Sequence, residues 1–171
     1  MTLKGIAQAE HIAKILNKEI QDVSKFKIVV SPQWRCQQFA SIVCEHIGIP
    51  FSQCVFEENL REHCFGLWEG KTEEEIEKDF PGFLARRYKP ENYWSYVVPM
   101  GESYEILSSR VMNVVDKYKN QDVIFICHEM VSKVMRGALL RLNAGEILAS
   151  NHPQNTVYKI INGNLEIINN I

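Results

Sequence analysis

The sequence has no long apolar run. No segment approaches the roughly 18 uninterrupted apolar residues of a membrane-spanning helix. The first twenty residues include Lys4, Glu10 and Lys14 and do not resemble a signal peptide. We therefore expect a cytoplasmic protein without a membrane partner.

An excess of charge of one sign is also missing. The chain has 19 basic and 21 acidic side chains, for a formal net charge of −2. Proteins that hold nucleic acid or anionic lipid through their overall field carry a marked basic excess. The pair Arg86-Arg87 is too short to form a basic patch. Nucleic acid is therefore not an expected partner.

The five cysteines form neither a disulfide framework nor a zinc site. Their number is odd, none belongs to a Cys-x-x-Cys pair, and no paired histidine spacing accompanies them. We expect reduced thiols and no bound metal or cofactor. Neither is needed for folding, because a chain of 171 residues buries about 70% of its unfolded surface around one core. Residues 1–171 are expected to form a single domain.

Strands and helices alternate along the chain. Apolar periodicity and stop signals predict, in chain order, a helix over 6–20, a strand over 26–31, a helix that ends at Gly48, a strand over 53–56, a helix after 101–103, a strand over 122–127, a helix over 129–142 and a hairpin over 157–167. Residues 57–101 are irregular, except for a capping box at Thr72 and Glu75. Asn162-Gly163 favours a type I′ hairpin turn.

This order is typical of an α/β three-layer sandwich with a mostly parallel sheet and a C-terminal antiparallel hairpin. In such folds, ligands bind in the crevice outside the carboxyl ends of the strands. The polar residues that follow each strand are therefore the candidates for chemistry.

Three such residues are Arg35, Glu62 and His128, each of which follows a different predicted strand. Arginine offers a fixed fork of donors for phosphate or carboxylate, and histidine adds a second donor. A glutamate near an anion can have its pKa raised enough to deliver a proton. Each residue alone is more often a cap, a solvated carboxylate or a hydrogen-bonded histidine. Their joint placement favours an anion site with an acid beside it.

Five blocks of the sequence resemble the histidine phosphatase superfamily, also called phosphoglycerate mutase-like. They are TLKGIAQA (2–9), SPQWRCQQFA (31–40), LREHCFGLWEG (60–70), PMGES (99–103) and ICHEMVSKVMR (126–136). The resemblance implies transfer of a phosphoryl group through a phosphohistidine. It implies that Arg35 binds the phosphate, that His128 stabilises the transferring group and that Glu62 is the proton donor. No cofactor is implied, and the expected partner is phosphate or a small phosphorylated metabolite.

The chain departs from that family at its defining Arg-His-Gly motif, which carries the nucleophilic histidine at the end of a first strand. None of His11, His46, His63 and His152 lies in such a context. We therefore assign no nucleophile within this chain. Phe39 replaces the usual threonine, and Glu129 replaces the usual glycine beside the pocket histidine, where an inward carboxylate would repel phosphate.

Two classes of function stay open. One is an enzyme family whose parent activity is phosphomonoester hydrolysis, with this chain N-terminally truncated and inactive as given. Mutase-type phosphotransfer is the less favoured variant, because the insertion over 57–101 is short. The other is a non-catalytic remnant that binds phosphate through Arg35 and His128.

The absent strand generates a prediction about stability. In the family it lies between the strand at 122–127 and the hairpin, so its loss leaves a gap or two exposed inner edges. We expect this chain to be less stable than a complete homologue, or to close the gap by rearrangement or by forming a homo-oligomer. Thermal unfolding and sedimentation test this, and a monodisperse monomer of high thermal stability would contradict it.

Overall fold

A short parallel sheet packed between helices, followed by a hairpin, makes up the fold in the computed structural model, which describes residues 1–169. The elements are α1 (Leu3–Glu19), β1 (Lys27–Val30), α2 (Trp34–Ile47), β2 (Val55–Phe56), α3 (Glu73–Asp79), α4 (Phe83–Arg87), α5 (Tyr104–Tyr118), β3 (Val123–Ile126), α6 (Glu129–Leu140), α7 (Ala144–Ala149), β4 (Val157–Ile161) and β5 (Asn164–Ile168). The predicted α/β class is confirmed. Over this range, no helix is both long and apolar enough to span a membrane.

Local signals explain most helix ends. The Thr2 side chain accepts a hydrogen bond from the Gly5 N–H, which starts α1 earlier than its apolar pattern suggested. The predicted capping box of Thr72 and Glu75 is present at the start of α3. Gly48 ends α2 in the left-handed conformation. Two short helices, α4 and α7, were not predicted, because five or six residues are too few to show a helical period.

The parallel sheet has the strand order β2-β1-β3. β1 lies in the centre, and Val29 pairs with both Val55 of β2 and Phe125 of β3. Because side chains alternate along a strand, Ile28 and Val30 pack with α1 and α2, whereas Val29 packs with α5 and α6. The core therefore has two halves, one on each side of the sheet.

The hairpin forms a separate two-stranded sheet. β4 and β5 pair antiparallel around Asn162 and Gly163, whose φ angles of 51° and 75° are those of the predicted type I′ turn. Within residues 1–169, β3 pairs only with β1, and β4 pairs only with β5. An unpaired edge of each strand is therefore left, and no rearrangement of these elements joins the two sheets.

The loop that carries Glu62 packs closely on the segment before α5. A Cβ atom at Gly66 would overlap the backbone of Pro99, Met100 and Gly101, and Gly66 also has a φ of 52°. Only glycine tolerates both the positive φ and this close approach. The contact holds two of the quoted sequence blocks together.

We therefore predict that Gly66→Ala is much more destabilising than Gly48→Ala. Gly48 has a φ of 74° but no atom within 4 Å of an added Cβ, so alanine there incurs only the backbone strain of about 1–2 kcal/mol. At Gly66, the overlap with backbone adds about 1–3 kcal/mol. Urea unfolding followed by circular dichroism measures both free energies, and equal losses would contradict the close approach.

Candidate active site

His128 lies at the centre of the crevice at the carboxyl ends of β1 and β3. It is 7% exposed and directly precedes α6. The Arg35 Nε–H donates to His128 Nδ1 over 3.1 Å. Because a guanidinium can only donate, Nδ1 is the acceptor and the imidazole proton is on Nε2. Nε2 lies 2.8 Å from the hydroxyl oxygen of Ser31, which follows β1.

These neighbours keep His128 uncharged at neutral pH. Burial, and then the positive charges of Arg35 and Arg110, lower the pKa of His128 to about 4. Cys36 also lies close, with its sulfur 3.5 Å from Nε2, and burial raises the pKa of its thiol to about 11. The crevice therefore holds one fixed cation, Arg35, beside a neutral imidazole and a neutral thiol.

The Glu62 carboxyl group lies near the start of α6, the helix that His128 directly precedes. Burial raises the pKa of its carboxyl group, while the N–H groups of His63, Met130 and Val131 oppose the shift. Met130 and Val131 belong to the first turn of α6, directly after His128. Gln33 connects Glu62 to the arginine, because its side-chain oxygen accepts from the Glu62 N–H at 2.9 Å and from Arg35 Nη2 at 3.4 Å.

The three residues singled out from the sequence thus come together, although they lie 27 and 66 positions apart along the chain. The sequence reasoning missed Ser31 and Gln33, which contact them. Both belong to the quoted block 31–40, so their position at the carboxyl end of a predicted strand was the signal that could have identified them.

A buried ion pair fixes the loop that carries Glu62. Arg110 Nη2 lies 2.6 Å from a carboxylate oxygen of Glu102, and Arg110 also donates to the carbonyl groups of Asn59 and Glu62. The same carboxylate oxygen accepts from the Cys64 N–H. Both side chains are largely buried, so each charge depends on these partners. No sequence signal pointed to Arg110, which lies in the middle of α5.

The other histidines are engaged elsewhere. His11 contacts the Asn169 carbonyl, His46 contacts the Ile42 carbonyl and His152 stacks on Tyr158. His63 is 4% exposed, lies between the rings of Phe65 and Tyr104, and has no hydrogen-bond partner on either ring nitrogen among the described residues. None of these four side chains hydrogen-bonds to Arg35, Glu62 or His128 in that part of the chain.

Glu129 and Arg87, both named in the sequence analysis, have defined partners in the structure. Glu129 forms an ion pair with Lys133 at 3.0 Å on the same helix. Arg87 is 4% exposed and lies against the rings of Phe65, Trp68, Tyr93 and Tyr104, donating to the Tyr104 hydroxyl group. The aromatic residues of the irregular region therefore surround a buried cation and anchor the loop.

Over residues 1–169, no three His, Cys, Asp or Glu side chains cluster closely enough to hold a metal ion.

The comparisons of the sequence with known proteins agree on one family. Residues 1–165 match the sequence profile of the histidine phosphatase superfamily, branch 1. Mouse 6-phosphofructo-2-kinase/fructose-2,6-bisphosphatase 1 is 31% identical over 161 residues, which are 94% of this chain and 32% of that protein. The human protein of the same name is 29% identical over 161 residues, again 32% of its length. The chain thus spans about a third of the length of these curated relatives.

Solved structures show the same fold at low identity. The alpha-ribazole phosphatase of Shigella flexneri has a TM-score of 0.78 at 22% identity, covering 99% of this chain and 83% of that one. A mycobacterial glucosyl-3-phosphoglycerate phosphatase in complex with inorganic phosphate has a TM-score of 0.71 at 21% identity, covering 100% of this chain and 86% of that one.

Because His63 and His128 are buried, we predict that acid destabilises the protein. Burial, with a smaller effect of Arg87, lowers the pKa of His63 to about 4, as for His128. Between pH 6.5 and 4 the unfolded chain binds protons that the folded chain does not, so the free energy of unfolding falls as the pH falls through this window. The loss levels off below pH 4, where both states are protonated.

We predict that His63→Phe reduces the acid-induced loss of unfolding free energy by about 1–3 kcal/mol. It should leave stability at pH 7 unchanged or higher, because it eliminates two buried nitrogens that have no hydrogen-bond partner within residues 1–169. Urea unfolding at several pH values measures the effect. The matched control is His46→Gln, which replaces an exposed histidine of α2. If His63→Phe and His46→Gln had the same acid profile, the burial of His63 would not be the cause.

Proposed function

The chain belongs to the histidine phosphatase superfamily and has its phosphoglycerate mutase-like fold. From that premise we propose that it provides the phosphate-binding and proton-donating residues of a phosphomonoesterase that works through a phosphohistidine. The observation that carries the proposal is the triad of Arg35, neutral His128 and Glu62 in one crevice. The substrate class is a small phosphorylated metabolite.

Arg35 and His128 bind the phosphoryl oxygens in this proposal. Within residues 1–169, the Nε–H of the guanidinium donates to His128 and Nη2 donates to Gln33, while Nη1 has no hydrogen-bond partner. The group keeps its charge at any relevant pH. The Nε2–H of His128, now directed at Ser31, is a second donor at the same place. Fixed donors of this kind stabilise the charge that develops on a transferring phosphoryl group.

Glu62 is the proposed general acid. Burial raises its pKa, so its carboxyl group keeps the proton to a higher pH than an ordinary glutamate does. As the bond from phosphorus to the ester oxygen breaks and a bond from phosphorus to a histidine nitrogen forms, the Glu62 proton passes to the departing oxygen. Water then attacks the phosphohistidine and returns a proton to Glu62. We propose no nucleophile among the five histidines of this chain.

By itself, then, the chain of 171 residues is proposed to bind phosphate without turning over a phosphoester. Hydrolysis is preferred to mutase-type transfer because the names of the relatives and of the structural neighbours include phosphatases. The near-neutral net charge supports the absence of a nucleic-acid partner, and we propose a cytoplasmic location.

Phosphate binding should depend on Arg35. We expect Arg35→Ala to weaken the binding of inorganic phosphate by about tenfold to a hundredfold, the effect of losing a charged hydrogen bond. Arg61→Ala, which removes an exposed arginine paired with Glu58, is the control and should bind as the unchanged chain does. Isothermal titration calorimetry gives the affinities, and equal losses in both variants would contradict the proposed site.

Turnover should require an added nucleophile. The chain alone is expected not to hydrolyse p-nitrophenyl phosphate. Fusing an apolar strand that ends in Arg-His-Gly ahead of Met1 should produce hydrolysis, and Glu62→Gln should then lower kcat by about a hundredfold or more. Activity of the fused chain should fall as the pH rises through the raised pKa of Glu62. Hydrolysis by the unfused chain that disappears in His128→Ala would refute the proposal.

A further inference from the structure

Gln33 lies directly before α2, and the helix that follows fixes its backbone. Its carbonyl oxygen accepts from the N–H groups of Cys36 and Gln37, over 2.9 and 3.2 Å. Serine, threonine, aspartate and asparagine are the usual residues at this position, because their short side chains accept hydrogen bonds from the first turn of the helix. The Gln33 side chain makes no such bond. Its carboxamide contacts Glu62 and Arg35 instead.

The orientation of this carboxamide follows from its two neighbours. The Glu62 N–H donates to Gln33 Oε1 over 2.9 Å, and Arg35 Nη2 donates to the same oxygen over 3.4 Å. Both neighbours can only donate, so the atom that faces them has to be the oxygen. The other branch of the carboxamide is therefore the Nε2 amine, which carries two donors and has no acceptor function.

The Gln33 amine is a free donor. Within residues 1–169 it makes no hydrogen bond, although the oxygen of the same group makes two. Gln33 is half-buried, and its amine is not among the enclosed polar atoms of that range that lack a partner. The amine is therefore open to solvent, where a ligand can reach it.

The Gln33 carboxamide connects the two ends of the proposed reaction centre. In the proposed function, Arg35 binds the phosphoryl oxygens and Glu62 protonates the ester oxygen. The ester bond then lies between the arginine and the loop that carries the acid, and these are the two groups that Gln33 bridges. The first carbon atoms of the alcohol part follow the ester oxygen directly. They therefore come within reach of the amine.

We propose that Gln33 is a specificity-determining residue, whose Nε2 amine donates to an oxygen atom on the carbon next to the esterified carbon of the substrate. The inference rests on the proposed function and narrows its substrate class to phosphoesters of polyols and hydroxy acids. The oxygen can belong to a hydroxyl, carbonyl or carboxylate group, because a neutral amine donates to each of them. A hydrocarbon chain at this place would leave the amine without an acceptor.

A role in positioning alone is the alternative. Gln33 would then serve only as the acceptor that holds the Glu62 loop beside Arg35, and its amine would stay in solvent. The two roles use different atoms of one side chain, because Oε1 holds the loop and Nε2 contacts the substrate. A variant that keeps an acceptor oxygen and removes the amine therefore separates them.

The test compares two phosphoesters that differ in one chain atom. Methoxyethyl phosphate has an ether oxygen where butyl phosphate has a methylene group, and an ether oxygen can only accept. Isothermal titration calorimetry with the full chain, which is expected to bind esters without turnover, gives both affinities. The ether should bind about two- to tenfold more tightly, the effect of one neutral hydrogen bond. The ratio of the two affinities is the readout, because a general loosening of the site weakens both esters alike.

Three variants locate this preference on the Gln33 amine. Gln33→Met has a side chain of similar length without polar atoms, and Gln33→Glu keeps an acceptor oxygen toward the loop. Both should abolish the preference for the ether. The matched control is Gln37→Met, because Gln37 is also half-buried on α2 but donates to the Pro32 carbonyl group. It should keep the ratio of the unchanged chain, and circular dichroism checks the fold of each variant.

Several outcomes would overturn the inference. Equal affinities of the two esters for the unchanged chain would mean that the amine does not contact the ligand. A preference that survives in Gln33→Glu would leave Gln33 with a positioning role only, and its loss in Gln37→Met would indicate a general effect on α2. Failure of the proposed function looks different, because neither ester would then bind or Arg35→Ala would leave both affinities unchanged.

Discussion

The parallel pairing of β1 with β3 is the constraint on which the candidate site depends. Val30 pairs with Ile126, and the Ser31 N–H donates to the Ile126 carbonyl, so β1 and β3 end side by side at the same edge of the sheet. Ser31 directly follows β1 and His128 is the second residue after β3, and the Ser31 hydroxyl oxygen lies 2.8 Å from His128 Nε2. A slip of one residue would send alternate side chains of β3 to the other face and separate this pair.

Electrostatics in the crevice follow from that arrangement. Arg35 lies in the first turn of α2, from where it reaches His128 and opposes its protonation. The imidazole is therefore a directed hydrogen-bond donor and not a second cation. Glu62 lies in a loop, and the buried ion pair of Arg110 and Glu102 holds that loop in place. A carboxyl group of raised pKa and a fixed cation can lie close together because the loop has its own anchors.

A cavity of about 1190 Å³ lies between the parallel sheet and the hairpin and meets the crevice at one end. His128 and Arg35, which contact each other, both line this cavity. Within residues 1–169, β3 pairs only with β1 and β4 pairs only with β5.

The sequence by itself determined the elements with a strong local signal. Apolar runs identified β1 and β3, the Thr72 capping box identified the start of α3, and Asn162-Gly163 identified the hairpin turn. It also pointed to Arg35, Glu62 and His128, because each follows a strand. Only the tertiary structure decided that His128 accepts from Arg35, that Arg110 holds the Glu62 loop and that His63 lies buried between two aromatic rings. Those facts depend on burial and on contacts between distant segments, which no local pattern encodes.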